Sequence, residues 1–133
     1  MHGFPVRVYY EDTDLAGIVY YANYLRFIER ARTEWARALG VDQVALKAGD
    51  GIVLAVRRVE ADYLAPARFD DVLEVRTVLQ AVTGARIVLG QSVWRGGQRL
   101  FDAVVTLVAL HDDGRAARLP AGLRAAIAAD SSG

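Results

Sequence analysis

Alternation opens the chain: Val6, Val8 and Tyr10 are separated by Arg7 and Tyr9, the two-residue period of a β-strand. A polar, turn-prone run, Glu11-Asp12-Thr13-Asp14-Leu15-Ala16-Gly17, interrupts it. The period then lengthens. Tyr24, Phe27, Ile28, Ala31, Trp35 and Leu39 recur at three- and four-residue steps and gather on one half of a helix. Arg26, Glu29, Arg30, Thr33, Glu34 and Arg37 fill most of the other half. Asn23 is a capping residue type and Gly40 stands where a C′ glycine ends a helix, so the pattern predicts a helix from about Asn23 to Leu39. After a loose stretch around Lys47 to Gly51 the period returns to two. Ile52, Leu54 and Val56 share one face and Val59, Ala61 and Tyr63 share one face, with a phase slip at Arg57-Arg58. A bulge there turns both apolar sets toward the core. Pro66 closes this strand. Leu73 to Leu79, Arg86 to Arg95 and Leu100 to Leu110 alternate as three more strands, joined through the turn signals Thr83-Gly84 and Gly96-Gly97. Asp112-Asp113-Gly114 ends the last one. Pro120 suits the first turn of a short amphipathic helix to about Ala129, and Asp130 to Gly133 are expected to fray.

Short hairpin connections make the sheet antiparallel, and the long helix must bury its apolar half against it. The expected fold is therefore α+β: a single domain over residues 1–133, with a five-stranded antiparallel sheet wrapped around one long helix and a short helix at the C-terminal end.

Composition narrows the chemistry. The chain has 133 residues, 53% of them hydrophobic, enough for a core without covalent staples. Lys+Arg and Asp+Glu both number 16, so no basic stripe argues for nucleic acid. The lack of cysteine excludes disulfides, thiolate metal sites and a cysteine nucleophile. With only His2 and His111, and no paired-histidine spacing, neither a metal nor another cofactor is expected. No run of 18 apolar residues and no signal-peptide pattern occurs, so the expectation is a cytoplasmic protein without a membrane span.

The segment between the first strand and the long helix carries the candidate chemistry. It places carboxylates, a glycine and a helix N-terminus within about a dozen positions. A helix N-terminus presents free N–H groups and a partial positive charge, ready donors to an oxyanion. A carboxylate beside it can attack a carbonyl or activate water. Acyl transfer needs both parts. Asp, Thr and Gly before a helix are equally ordinary turn and cap residues, and spacing alone does not choose among Glu11, Asp12 and Asp14; Glu11 and Asp12 read as solvated or turn-forming.

The stretch from Val8 to Tyr24, VYYEDTDLAGIVYYANY, resembles the signature of the 4-hydroxybenzoyl-CoA thioesterase family. Residues 27–34, FIERARTE, and 63–71, YLAPARFDD, are similar to its Tol–Pal-associated acyl-CoA thioesterase branch. The resemblance implies a hotdog fold whose subunits pair into dimers through one continuous sheet, dimers that often pair again into a homotetramer. It implies an acyl-CoA thioester hydrolase, with an acyl carrier protein as a possible alternative donor. The family's D-x-x-G aspartate corresponds to Asp14, with Gly17, and its carbonyl-polarising amide to the backbone N–H of Tyr21. The branch commonly carries His where this chain has Tyr21, an aromatic closer to the 4-hydroxybenzoyl-CoA type; a backbone N–H survives that change.

CoA phosphates call for cations. Arg57, Arg58, Arg68, Arg86 and Arg95 are candidates, and the family's basic turn between the third and fourth strands corresponds here to Arg86 alone. Glu29 and Glu34 are alternative carboxylates on the helix, but Arg26, Arg30 and Arg37 at three- or four-residue spacings read as surface ion pairs. Trp35 and Trp94 read as packing residues. A dehydratase of the same fold would need an active-site histidine, for which His2 and His111 are poorly placed. A non-catalytic acyl-CoA or acyl-carrier-protein binding module, or an envelope-associated interaction protein, is the alternative of another class.

Overall fold

The computed structural model describes residues 1–130. Strand β1 (His2–Arg7) leads through a 3₁₀ turn at Tyr10–Asp12 and an extended loop to α1 (Asn23–Ala38). A short helix α2 (Gln43–Asp50) precedes β2 (Ile52–Tyr63), β3 (Val72–Val82), β4 (Arg86–Arg95) and β5 (Gln98–His111). A two-residue strand β6 (Ala116–Ala117) and α3 (Ala121–Asp130) complete the chain. All pairings are antiparallel in the order β1-β3-β4-β5-β2, with β6 added to β5. The expected five-strand sheet is thus present, with β6 as a short addition.

Helix α1 buries the stripe that its periodicity marked: Tyr24, Phe27, Ile28, Ala31 and Trp35 are all buried. They meet Val75, Leu89, Phe101 and Val105 from the concave face of the sheet within a single core. Each fully buried side chain of this size contributes roughly 1.5–3 kcal/mol. Tyr24 stacks on Phe101 with centroids 5.1 Å apart and planes 8° from parallel. One polar cluster lies inside this interface. The Gln91 amide donates to Ile28 O and Thr77 Oγ1, both at 3.0 Å, and its carbonyl oxygen accepts from Arg32. Burial lowers the Arg32 pKa, opposed by the Glu29 carboxylate.

Several boundaries differ from expectation. Strand β1 starts and ends earlier, because residues 10–12 coil into the 3₁₀ turn. The stretch read as loose is α2: Asp42 caps it by accepting from Val44 N and Ala45 N, and Gly51 ends it at φ 65°. Asn23 is the first residue of α1 and not its cap; Ala22 holds that position. The predicted bulge in β2 is present, the register shifting between Val56 and Arg58. Its expected effect is not: beyond the bulge Val59 is 37% and Tyr63 48% exposed. Strand β2 is the sheet edge, and its residues beyond the bulge stay exposed among the described residues. Asp130 is the last residue of α3, and the rest of the predicted frayed end, 131–133, lies outside the described residues.

Candidate functional site

Three anchors shape the loop between β1 and α1. The Asp12 carboxylate, 6% exposed, accepts from Tyr9 N at 2.8 Å and from the Asn23 side-chain amide at 2.9 Å. Asp12 is therefore a buried clamp between the two ends of the loop: it forms the 3₁₀ turn, as one half of its reading expected, and it is not solvated, which corrects the other half. A miniature hairpin follows, with Thr13 bridging Val19 and Asp14 N donating to Ile18 O. Its tip closes as Gly17 N donates to Asp14 O at 3.0 Å, with Gly17 at φ 78°. A side chain there would be strained, the physical reason for glycine in the D-x-x-G segment. The third anchor is the 64–71 segment: Val19 N donates to Ala67 O, and the buried Tyr24 hydroxyl accepts from Ala67 N at 3.0 Å.

Asp14 is exposed at the hairpin base. One carboxylate oxygen accepts from Ala16 N at 2.9 Å, fixing the side chain, while the other accepts no hydrogen bond among the described residues. Its negative charge is felt by Tyr20, whose pKa is raised first by the adjoining Tyr21 phenol and in lesser part by Asp14. Just before α1, the N–H groups of Tyr21 and Ala22 have no acceptor among the described residues, whereas Tyr20 N and Asn23 N are both engaged. A carboxylate with free lone pairs and unengaged amides at a helix start thus share one short loop.

Beside them lies a groove of about 330 Å³ lined by Ile18, Val19, Tyr21, Tyr24, Tyr63 and the 64–66 segment. It is mainly apolar and edged by aromatic rings, as a site for an acyl group requires. Tyr63 packs edge-on against Tyr21, Tyr24 and Phe101 at 5.1–6.1 Å between centroids. The groove wall from β2 is the part that sequence reasoning missed; its signal, Tyr63 at the end of an alternating strand, looked like core.

The structure does not bring every candidate here. Arg86 begins β4, while the loop lies beside the opposite end of that strand, where Arg95 pairs with Asp71 at 2.7 Å. Ten residues of strand separate the two by about 30 Å. Arg95 also donates to Pro66 O and Gln98, so it serves the scaffold. Arg58 pairs with Glu60, while Arg57 is exposed. Arg68, whose backbone bridges Ile18, is exposed and forms no ion pair among the described residues. Glu34 pairs with Arg37 at 2.6 Å, as a surface pair should. Glu29 faces a separate cavity with Arg32, Thr33 and Trp35. Trp35 is core, and Trp94 packs under the Arg76 guanidinium at 4.2 Å. Among the described residues no cluster of His, Cys, Asp or Glu could hold a metal, and no helix is long and apolar enough to cross a membrane.

The thioesterase superfamily profile matches residues 16–101. An acyl-CoA thioester hydrolase, YbgC, of Escherichia coli O6:H1 is 43% identical over 108 residues, covering 81% of this chain and 80% of the relative. The acyl-CoA thioesterase YbgC of Haemophilus influenzae is 45% identical over 102 residues, covering 77% and 75%. The crystal structure of a probable thioesterase from Bartonella henselae superposes with a TM-score of 0.86 at 36% identity, covering 90% of this chain and 98% of that one. The sheet around α1 is accordingly the hotdog fold expected from the sequence. By motif, fold and relatives alike, this chain belongs to the thioesterase superfamily.

Proposed function

We propose that the protein hydrolyses an acyl-CoA thioester to the free acid and CoA. The observation that carries this reading is the loop holding a half-free Asp14 carboxylate and unengaged Tyr21 and Ala22 amides beside an aromatic-edged apolar groove. The acyl group lies in the groove, and the Tyr21 N–H polarises the thioester carbonyl. Asp14 attacks that carbon, or takes a proton from the water that does. A donor aimed at the developing oxyanion is typically worth ~3 kcal/mol. Thiolate is a good leaving group, so the absence of histidine at Tyr21 leaves the chemistry feasible. Gly17 shapes the turn and takes no part in bond making.

Of the cations, Arg68 flanks the groove and is the better candidate for CoA phosphates. Arg86 would reach the same ligand only from a second copy of the chain. A thioester on a carrier protein presents the same carbonyl and is an alternative donor. The exposed edge of β2 supports pairing of two chains into a longer sheet, and a homotetramer would pair those dimers again. A cytoplasmic setting follows from CoA being the substrate.

The test is thiol release by the purified protein from short, long and aromatic acyl-CoAs. Turnover supports the enzyme, and the best substrate identifies the acyl class. Tight acyl-CoA binding without thiol release from any of them favours the binding module instead.

A further inference from the structure

The groove beside Asp14 has a floor and one closed end. Its floor is Tyr24, 3% exposed and stacked on the fully buried Phe101, so an acyl chain lying there does not enter the core. Its end toward the middle of β2 is Tyr63. That ring stands edge-on to Tyr21, Tyr24 and Phe101, its plane at 70–79° to theirs, and its hydroxyl donates to Tyr21 O at 3.0 Å. The side chain thus spans the space between the sheet edge and the segment that leads into α1.

Behind the ring the same face of β2 continues with Ala61 and Val59, both exposed. Their partners across the ladder, Ala103 and Val105, are buried in the core, and directly opposed residues share a face. A pair of alanines leaves a shelf that larger side chains would fill. Arg32 bounds it: the guanidinium donates to Gln91, which stands in one row with Ala103 and Ala61. We infer that Tyr63 is a specificity-determining residue of the thioesterase site, its ring the wall that stops the acyl chain short of the Ala61 shelf. The inference rests on the proposed thioesterase reading and deepens it by naming what sets acyl length. The ring is held by its packing on Tyr24 and Phe101 and by the register of β2 with β5, so the wall stands without its hydroxyl. Tyr63 is half-exposed, so trimming it removes little from the core.

The experiment measures kcat/KM for butyryl-CoA and octanoyl-CoA in wild type, Tyr63→Phe, Tyr63→Ala and the double variant Tyr63→Ala/Ala61→Leu, with Asp14→Asn as the check on the site. Each methylene that gains apolar cover is worth about fourfold. The space vacated by the ring covers about two of the four extra methylenes of octanoyl, so the octanoyl-to-butyryl ratio should rise about fifteenfold in Tyr63→Ala. Tyr63→Phe should keep the wild-type ratio. Ala61→Leu refills the shelf, so the double variant should return to within about threefold of wild type. Should Tyr63→Ala fail to fold, Tyr63→Leu, which frees part of the same space, reads the shift at about fourfold. An unchanged ratio in the folded variant, with wild type active and Asp14→Asn inactive, overturns the wall alone. A rise that Ala61→Leu leaves in place overturns it too, because the extra length then lies elsewhere, and so does an equal rise in Tyr63→Phe. A wild type that releases thiol from no acyl-CoA, or an Asp14→Asn variant as active as wild type, overturns it together with the reading of the site.

Discussion

Removing the Asp12 carboxylate should unlock the loop without touching the proposed chemistry two residues away. In Asp12→Ala two donors, Tyr9 N and the Asn23 side chain, lose an ionised partner in a nearly closed site. Hydrogen bonds to charged groups contribute about 1.5–3 kcal/mol each, and the relief of desolvating the carboxylate offsets part of their sum. The expected loss is about 3 kcal/mol, or about 12 °C in thermal midpoint for a domain of this size. Asn23→Ala removes one of the two bonds and regains about 0.5 kcal/mol of helix propensity, for a net loss of about 1.5 kcal/mol. Once Asp12 is gone the Asn23 side chain has nothing left to bind, so the double variant should cost no more than Asp12→Ala. Urea unfolding of all four proteins gives the cycle, in which helix propensity cancels, with an expected coupling of about 2 kcal/mol. A coupling near zero, or a cost below about 0.5 kcal/mol for Asp12→Ala, would refute the clamp and return Asp12 to the solvent.

Two further outcomes follow from the scaffold. Burial raises the Asp71 pKa, but the Arg68 N–H and the Arg95 guanidinium more than offset it, so the carboxyl titrates below its ordinary range. A depressed acid stabilises above its unfolded pKa and loses that contribution as pH falls through the folded one; the stability gap between wild type and Asp71→Asn should therefore be flat at neutral pH and close below about pH 4, and a gap that widens on acidification contradicts this. At the sheet edge, light scattering should give at least twice the 14.5 kDa chain mass for wild type and a shift toward the single-chain mass for Val59→Lys, whereas a monomeric wild type would refute pairing through β2.

What the sequence made legible was local and periodic. Strands β3, β4 and β5 alternate cleanly and turn over glycine, and α1 announces its buried face at three- and four-residue steps. Helix α2 escaped because none of its eight residues is fully buried and Leu46 alone of them packs against the core, so it has no core stripe to reveal; only Asp42 and Gly51 bracket it. The bulge in β2 was legible as a phase slip, yet a phase slip says nothing of what covers a strand, and among the described residues that half stays exposed. At the site, the glycine turn and helix start could be read from spacing. The choice of Asp14 over Asp12 could not, since burial depends on Asn23 reaching back across eleven residues. Tyr63 and Arg68 arrive from the far side of the chain through β2 and the Ile18 bridge, contacts that exist only after folding.

The central claim is that Asp14 performs the chemistry, and thiol release by Asp14→Asn tests it most directly. The substitution keeps the oxygen that can accept from Ala16 N and removes the charge, so the turn should persist while the nucleophile or base is lost. A folded variant with kcat at least about a hundredfold below wild type is the predicted result. A folded variant that turns over at the wild-type rate would contradict the account and move the search to Glu29 and its cavity with Arg32.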